Sequence, residues 1–342
     1  MSEHVFQLGR TPPQISTPFG ERTQLSGEQL PILDGLSLAR LTIEPGCFRE
    51  PHWHANANEL GYCVGGELLV TILASPNEHS VFTISAGQMF FVPSGALHAI
   101  ENVGDEQAQL IIAFSDEQPQ DFGLSGSVGM LTPAVVGNAW GVQASELGGL
   151  RQESGDIFAG RVDGNPEVPE QAGYPNDLKL DLETMSPRLQ NAAGSVRTAR
   201  DDTWTALDRL AMYSLRIKGT GMREPHWHPL TAELGYVRTG RARMTVRAAD
   251  GSVDTYGLAA GDGYFIPRAF PHHIENLEDE EAHFLVFFDQ PSVPDIGFTG
   301  SAGAYPARIL APTLGMTAAE LPALPAMPSD LLLVDKRNPV DP

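Results

Sequence analysis

The most informative parts of this chain are two short stretches, Pro51-His52-Trp53-His54 and Pro225-His226-Trp227-His228. In each copy a glutamate follows five residues after the second histidine, and a further histidine follows about forty residues later. Residues two apart on a β-strand point to the same face, so the paired histidines should converge on one point. Three imidazoles and one carboxylate suit a divalent ion with octahedral preference, and they leave about two positions for water or substrate.

We therefore predict one divalent metal ion in each half of the chain. Mn(II) or Fe(II) fits best, because Zn(II) usually takes four ligands and would leave less room. The alternative is a set of hydrogen-bonded core histidines, but six of the ten histidines fall into two copies of one pattern. His273 has no counterpart at Ala99, so the register with His98 selects its neighbour, His272, as the ligand. The predicted ligands are His52, His54, Glu59 and His98 in the first half, and His226, His228, Glu233 and His272 in the second.

The whole chain is organised as an internal duplication. Residues 20–147 align with residues 194–321 at a constant offset of 174, without an insertion or deletion. A repeat of this period is the size of a whole domain, so each copy should carry its own core. We predict an N-terminal domain over 1–154, a connector and arm over 155–190, a C-terminal domain over 191–325 and a tail over 326–342.

Each copy has the sequence pattern of β-strands. Short runs such as Glu67 to Leu73 and Arg241 to Arg247 are bounded by Gly, Pro, Asn and Asp. Many short antiparallel strands close into a double-sheet jelly roll, because closure removes exposed strand edges. A helical pattern occurs only late in each copy, around 144–150 and 317–324. The prediction is an all-β protein with two tandem jelly-roll domains and short helical arms.

Composition and charge narrow the choice of partners. Acidic residues outnumber basic ones 43 to 22, and a formal charge of -21 repels nucleic acid and anionic lipid alike. No apolar run approaches the length of a membrane span, and no targeting signal is visible, so we expect a cytoplasmic protein without a membrane partner. Cys47 and Cys63 are the only cysteines, and we interpret both as small core residues.

Further residues around the histidines match two known sequence motifs. Gly46 to Gly66 follow Gly-x5-His-x-His-x4-Glu-x6-Gly, and Gly87 to Asn102 follow Gly-x5-Pro-x-Gly-x2-His-x3-Asn. The second half matches with Gly221 displaced by one position and with Ala269 in place of a glycine. The sequence thus resembles the cupin superfamily, whose fold is the double-stranded β-helix. The string Arg-Glu-x-His-Trp-His in both halves resembles, more narrowly, the bicupin oxalate decarboxylase family.

This resemblance implies an activity and a cofactor. It implies Mn(II), two ions per chain, with Fe(II) as the second choice. It also implies a carboxy-lyase that acts on a small di- or keto-carboxylate, with oxalate as the first candidate, and a possible homo-oligomer. In the resembled family an arginine at the position of Arg49 and Arg223 faces the substrate. Each arginine lies three residues before the first ligand histidine. On an undistorted strand this odd spacing would point its side chain to the opposite face of the sheet, and the proline between the two residues could reverse that orientation. A salt bridge with Glu50 or Glu224 is the alternative.

The expected proton donor is where the sequence departs from the resembled family. Those decarboxylases carry a lid glutamate, and no glutamate stands in the corresponding segments 120–124 and 294–298. A second family glutamate would align with Ile112 or Val286, which cannot donate a proton. Asp121 and Asp295 are the candidate substitutes, and ordinary loop caps are the alternative. The other hypotheses are a different metal-dependent oxidation or isomerisation of a small acid or sugar, and a non-catalytic cupin that binds metal or carboxylate.

Overall fold

The computed structural model describes residues 2–324 and 333–338. Strands dominate the first half and the connector: β1 (Val5–Phe6), β2 (Ile15–Thr17), β3 (Gly20–Leu25), β4 (Ser37–Ile43), β5 (Cys47–His54), β6 (Glu59–Gly65), β7 (Glu67–Ser75), β8 (Glu78–Ser85), β9 (Gln88–Val92), β10 (Leu97–Asn102), β11 (Ala108–Phe114), β12 (Asp121–Gly123), β13 (Ala159–Arg161) and β14 (Lys179–Asp181). Helices α1 (Leu124–Gly129) and α2 (Pro133–Trp140) follow β12.

The second half repeats this order. Its strands are β15 (Leu189–Asn191), β16 (Gly194–Ala199), β17 (Ala211–Ile217), β18 (Gly221–Trp227), β19 (Glu233–Thr239), β20 (Arg241–Arg247), β21 (Val253–Ala259), β22 (Gly263–Ile266), β23 (His272–Asn276), β24 (Ala282–Phe288), β25 (Ile296–Gly297) and β26 (Leu333–Asp335). Helices α3 (Phe298–Gly303) and α4 (Ala307–Thr313) follow β25, and short 3-10 turns cover Leu8–Arg10, Ala144–Leu147 and Glu170–Gly173.

Each half forms one barrel of two facing antiparallel sheets. In the first barrel, one sheet has the order β14-β9-β6-β11-β4-β3-β2, and the other has the order β12-β5-β10-β7-β8 with β13 beside β5. The second barrel repeats both, as β1-β22-β19-β24-β17-β16-β15 and β21-β20-β23-β18-β25 with β26 beside β18. The all-β, two-jelly-roll prediction is confirmed.

Strands outside the two repeats extend the sheets of both barrels. Strand β1 leaves the first barrel and pairs with β22 of the second, with Val5 opposite Tyr264. The segment predicted as a connector supplies β13 and β14, which pair with β5 and β9 of the first barrel. Most of the predicted tail lies outside the described residues, and the described part contributes β26 to the second barrel.

Among residues 2–324 and 333–338, hydrophobic packing forms three clusters, one more than the duplication alone predicts. Each barrel encloses its own cluster, as the duplication predicts. A third cluster lies between the barrels, where outward-facing residues such as Leu60 and Ile111 meet Leu234 and Leu285 of the other half. The hydroxyl of Tyr62 crosses this contact: it donates to Glu183 of the connector at 3.2 Å and accepts from Arg238 of the second half at 3.2 Å. Cys47 and Cys63 are buried free thiols, as predicted.

The helical arms exist, but the sequence-based placement of the helices was wrong. Only a 3-10 turn covers part of 144–150, and 317–324 contain a turn at 318–320 but no helix. The α-helices lie earlier, where glycines obscure a helical pattern. A Cβ on Gly129 would lie 2.1 Å from the carbonyl oxygen of Glu153, and one on Gly126 would lie 2.5 Å from that of Ser154. Close passage of the connector over α1 therefore requires glycine there. Among the described residues, no helix has the length and hydropathy needed to cross a membrane.

Candidate metal centres

A β-bulge in β5 sets the orientation of the first site. His52 lies opposite His98 in the β5–β10 ladder, but Arg49 lies opposite Ile100, so three steps on β5 match two on β10. Such a bulge reverses the alternation of side chains, which places Arg49 on the same face as His52 and His54. The bulge falls at Glu50 and Pro51, and β18 has the same irregularity between Arg223 and His226.

In the first barrel, the structure brings the four predicted ligands together. His52 and His54 extend from β5, His98 from β10, and Glu59 from β6 of the opposite sheet. The Oε2 atom of Glu59 lies 2.8 Å from Nε2 of His54 and 3.1 Å from Nε2 of His98. One donor atom from each of the four residues lies within 4.8 Å of the others, and all four residues are buried. This arrangement fits a single cation.

The second barrel has the same arrangement, built from His226, His228, Glu233 and His272. The Oε2 atom of Glu233 lies 3.1 Å from Nε2 of His228 and 3.2 Å from Nε2 of His272. His273 lies outside the group, 3.6 Å from Glu275. The duplicated sequence pattern therefore corresponds to two duplicated donor sets.

Backbone carbonyls orient most of the imidazoles. Nδ1 of His52 lies 2.8 Å from the carbonyl oxygen of Glu50, and Nδ1 of His98 lies 3.0 Å from that of Ala96. The equivalent atoms of His226 and His272 contact the equivalent carbonyls at 2.8 Å and 2.9 Å. A carbonyl accepts only from a protonated Nδ1, so in the neutral ring Nε2 keeps its lone pair for a metal.

The remaining histidine of each site has a different partner. Nδ1 of His54 lies 2.7 Å from Oδ1 of Asp121, in an approach oblique to the ring N–H. Nδ1 of His228 instead contacts the carbonyl oxygen of Pro294 at 3.2 Å. Asp295, the counterpart of Asp121, contacts Arg223. One site thus has a carboxylate where the other has a neutral carbonyl.

The ligand glutamates also differ in their surroundings. The Tyr264 hydroxyl donates to Oε1 of Glu233 at 2.7 Å. Its counterpart in the first barrel is Phe90, and Oε1 of Glu59 is buried without a hydrogen-bond partner among the described residues. Both rings lie over a glycine, where a Cβ on Gly61 or Gly235 would come within 2.1 Å of ring carbons. A buried carboxylate oxygen that lacks a protein donor is what a metal ligand requires.

Arg49 and Asp121 form a charged cluster beside the first site. Arg49 is buried, donates to the carbonyl oxygen of Phe158 at 3.0 Å and stacks on that ring at 4.6 Å. Its other terminal nitrogen lies 3.4 Å from Asp121, which also contacts Arg22. Arg49 also forms the ion pair with Glu50 that was the alternative prediction, at 3.8 Å, but the pair is buried and does not lie on the surface. The Glu50 carboxylate also accepts the backbone N–H groups of Ser125 and Phe158.

The second site differs from the first in the residues beside its ligands. A small cavity beside the ligands is lined by Arg223, Tyr213, Phe288 and neighbouring aliphatic residues. Val196 occupies the position of Arg22, and Tyr213 occupies the position of Ala39. The second site therefore lacks the Arg22 guanidinium of the first, and Arg200 instead hydrogen-bonds to Tyr213.

Burial and local charge decide the protonation of the ligands. Burial, followed by the nearby histidines and an arginine, lowers the pKa of His52 and of His226 well below the ordinary value, so both are neutral. Burial alone would raise the pKa of Glu59, but His98 and His54 outweigh it and leave a pKa of about 2. Neutral imidazoles and an ionised carboxylate are the forms that bind metal.

His54 and Asp121 perturb each other. Burial opposes a charge on either group, but their mutual contact dominates: with the help of Glu59 it raises the pKa of His54 to about 9. The same contact, with the guanidiniums of Arg22 and Arg49, holds the pKa of Asp121 well below its ordinary value. Asp121 is therefore ionised in this conformation.

The profile of the cupin family matches residues 6–147 and again residues 180–320. Oxalate decarboxylase OxdC of Bacillus subtilis (strain 168) is 30% identical over 290 residues, which cover 81% of this chain and 73% of the relative. The chain belongs to the bicupin oxalate decarboxylase family. This bicupin is also 26% identical over 303 residues to a probable oxalate decarboxylase of Arthroderma benhamiae, with 84% of this chain and 73% of the relative covered.

Solved structures support the fold of the bicupin. A structure of oxalate decarboxylase from Bacillus subtilis superimposes with a TM-score of 0.88 at 24% identity, over 98% of this chain and 88% of that chain. Sequence reasoning missed three residues of the bicupin's sites, namely Arg22, Phe158 and Tyr264. The constant offset between the halves could have found Tyr264, since it pairs this tyrosine with a phenylalanine. Phe158 lies in the connector, where no motif marks it.

Proposed function

We propose that this bicupin holds Mn(II) in each half, binds oxalate or a similar small carboxylate, and cleaves its C–C bond as a carboxy-lyase. Fe(II) is the second candidate metal. The observation that carries the proposal is the β-bulge that turns the Arg49 guanidinium toward the metal ligands. An oxalate decarboxylase and a probable oxalate decarboxylase align with 81% and 84% of this chain.

The charge around the first site fits a dianion. The chain carries a formal charge of -21 and repels small anions at long range, so local cations must hold them. Arg49 and Arg22 both contact a single carboxylate, that of Asp121. A substrate carboxylate on Arg49 would take the place of Asp121, because a guanidinium presents its paired donors to carboxylates of either origin. A divalent ion in the adjacent site would polarise the second carboxylate of the substrate.

Displacement of Asp121 from Arg49 by the substrate would also supply a proton donor. When C–C cleavage releases CO2 from oxalate, the electron pair stays on the remaining carbon, which must take a proton to become formate. Asp121 is ionised while it contacts the arginines. Once the substrate occupies Arg49, Asp121 loses one cation and its pKa rises, so it can take a proton from solvent and pass that proton to the carbon that has lost CO2.

Oxidation of the same acid by O2, giving CO2 and hydrogen peroxide, is the second candidate. One observation favours it: Asp121 is ionised and contacts two arginines, and oxidation requires no proton at the substrate carbon.

One assay separates these functions. The manganese and iron forms are incubated with oxalate, and formate, CO2 and hydrogen peroxide are measured. Formate with CO2 supports the carboxy-lyase, peroxide supports the oxidase, and tight binding without product refutes both. Oxalate should also raise the melting temperature of the manganese form. The Arg49→Lys, Arg223→Lys double variant should abolish that rise, whereas exposed Arg161→Lys should retain it.

Location and assembly belong to the same proposal. We place the protein in the cytoplasm, a proposal that fractionation of the native host would test. We also propose a homo-oligomer, because the helical arms expose large apolar side chains, among them Trp140, Tyr305 and Ile309. Light scattering of the purified chain gives its mass directly, and a monomer at micromolar concentration would refute this assembly.

A further inference from the structure

The two metal sites share their ligand types and differ in two contacts made directly to a ligand side chain. In four of the six ligand imidazoles, Nδ1 lies within hydrogen-bond distance of a backbone carbonyl oxygen, and these carbonyls are equivalent in the two barrels. The differences are at His54, which has the Asp121 carboxylate, and at Glu233, which has the Tyr264 hydroxyl. Because the offset between the halves is constant, each difference comes from identifiable substitutions.

We attribute the contact between Asp121 and His54 to Arg22. Asp121 lies opposite His54 in the ladder of β12 and β5, and Asp295, its counterpart at the offset of 174, immediately precedes β25. In the first barrel, Arg22 and Arg49 both contact Asp121, whose other oxygen lies beside His54. In the second barrel Val196 replaces Arg22, and Asp295 contacts Arg223 while His228 uses a carbonyl.

A carboxylate beside the Nδ1–H of a ligand imidazole increases the electron density at Nε2. It makes the ring a stronger donor and fixes its orientation, and removing such a partner typically costs about 10–100-fold in metal affinity. A neutral carbonyl does this less, because it carries no net charge. Asp121 should therefore strengthen the first site through His54.

The tyrosine hydroxyl has the opposite effect on a ligand carboxylate. Tyr264 donates to Oε1 of Glu233 and withdraws charge from the donor oxygens. Phe90 has no hydroxyl to donate, so Glu59 keeps its full charge for the cation. Both differences therefore act in the same direction.

We propose that Asp121 and Tyr264 are positioning residues that make the two metal sites unequal, with the tighter and more easily oxidised ion in the N-terminal barrel. A stronger donor set stabilises the trivalent ion more than the divalent one. A tenfold difference in that preference corresponds to about 59 mV for one electron. The inference requires two metal sites but no particular reaction, so it can stand if the carboxy-lyase proposal fails.

The first test measures Mn(II) affinity by competition with a chelator, together with metal content per chain. Wild-type protein should bind two ions in separate steps, and His272→Ala should remove the weaker one. Asp121→Asn should weaken the tighter step about tenfold or more and leave the other within twofold. Asp295→Asn is the matched control, since Asp295 contacts no ligand imidazole in the described structure, and it should leave the tighter step unchanged.

The second test exchanges the hydroxyl between the barrels. Tyr264→Phe removes one oxygen atom, and Phe90→Tyr adds one beside Glu59. In iron-loaded protein, a mediated redox titration followed by EPR should show the second-site potential falling in Tyr264→Phe and the first-site potential rising in Phe90→Tyr. If Phe90→Tyr does not fold, the Tyr264→Phe titration decides alone.

Three outcomes would overturn the inference. The first is equal affinity at both wild-type sites, and the second is a loss in Asp121→Asn shared equally by both steps, which marks a merely structural role. The third is an unchanged potential in Tyr264→Phe.

Discussion

Replacing Glu50 with glutamine tests how the arm and Arg49 are held beside the first metal site. Glu50 is 1% exposed. One of its carboxylate oxygens accepts the N–H of Phe158 at 2.7 Å, and the other accepts the N–H of Ser125 at 3.0 Å. Glutamine keeps one acceptor and turns an amide NH2 toward the second N–H, so one charge-assisted bond is lost and a buried donor is left unpaired. We expect a loss of about 3 kcal/mol in the free energy of unfolding.

A loss of about 3 kcal/mol corresponds to a fall of about 6–12 °C in melting temperature for a domain of this size. The assay is thermal and urea unfolding of metal-loaded protein, with hydrogen exchange at Ser125 and Phe158. Glu224→Gln is the matched variant. Oxygen Oε1 of Glu224 has no hydrogen-bond partner in the described structure, so glutamine can keep its oxygen on Thr299, and the cost should be smaller. Equal stability of Glu50→Gln and wild type, with unchanged exchange at both amides, would refute this reasoning.

Three further predictions concern packing and reactivity. Gly61→Ala should cost about 3 kcal/mol or more and lower the metal content, because its Cβ would lie 2.1 Å from the Phe90 ring; Gly65→Ala, with open space around its Cβ, should be neutral in the same unfolding assay. Tyr62→Phe should cost about 1–2 kcal/mol, since it removes the hydroxyl that joins the halves, and unchanged urea unfolding would contradict this. Burial raises the pKa of Cys63 to about 12, so the thiolate forms only at more alkaline pH; iodoacetamide at pH 9 should label it after unfolding, and rapid labelling of folded protein would disprove this.

Periodicity and duplication predicted the donor sets but not what surrounds them. Spacing of two on one strand places His52 and His54 on a common face whatever the loops do. The face of the sheet to which Arg49 points depends on a bulge at Glu50 and Pro51. A proline in a strand indicates an irregularity but does not give its direction. The orientation of Arg49 therefore does not follow from the sequence alone.

The partners of Asp121 could not be predicted, because they come from distant parts of the chain. Arg22 reaches it across 99 positions, and Arg49 reaches it across 72. The helices of the arms were misplaced for a related reason. Glycines in α1 read as loop signals locally, but they are required by the connector that crosses them. Long-range contacts of this kind leave no local pattern.

The pairing of β1 with the second barrel has a consequence for biosynthesis. Val5 is made 259 residues before Tyr264, its partner in the ladder. At ~5–20 residues per second, the ribosome needs roughly 10–50 s to cover that distance. During this interval the leading segment has no strand to pair with, and the second barrel cannot complete its sheet edge without it. Maturation of the second barrel therefore depends on a segment that emerged first, and a nascent chain cut between the barrels would release two incomplete products.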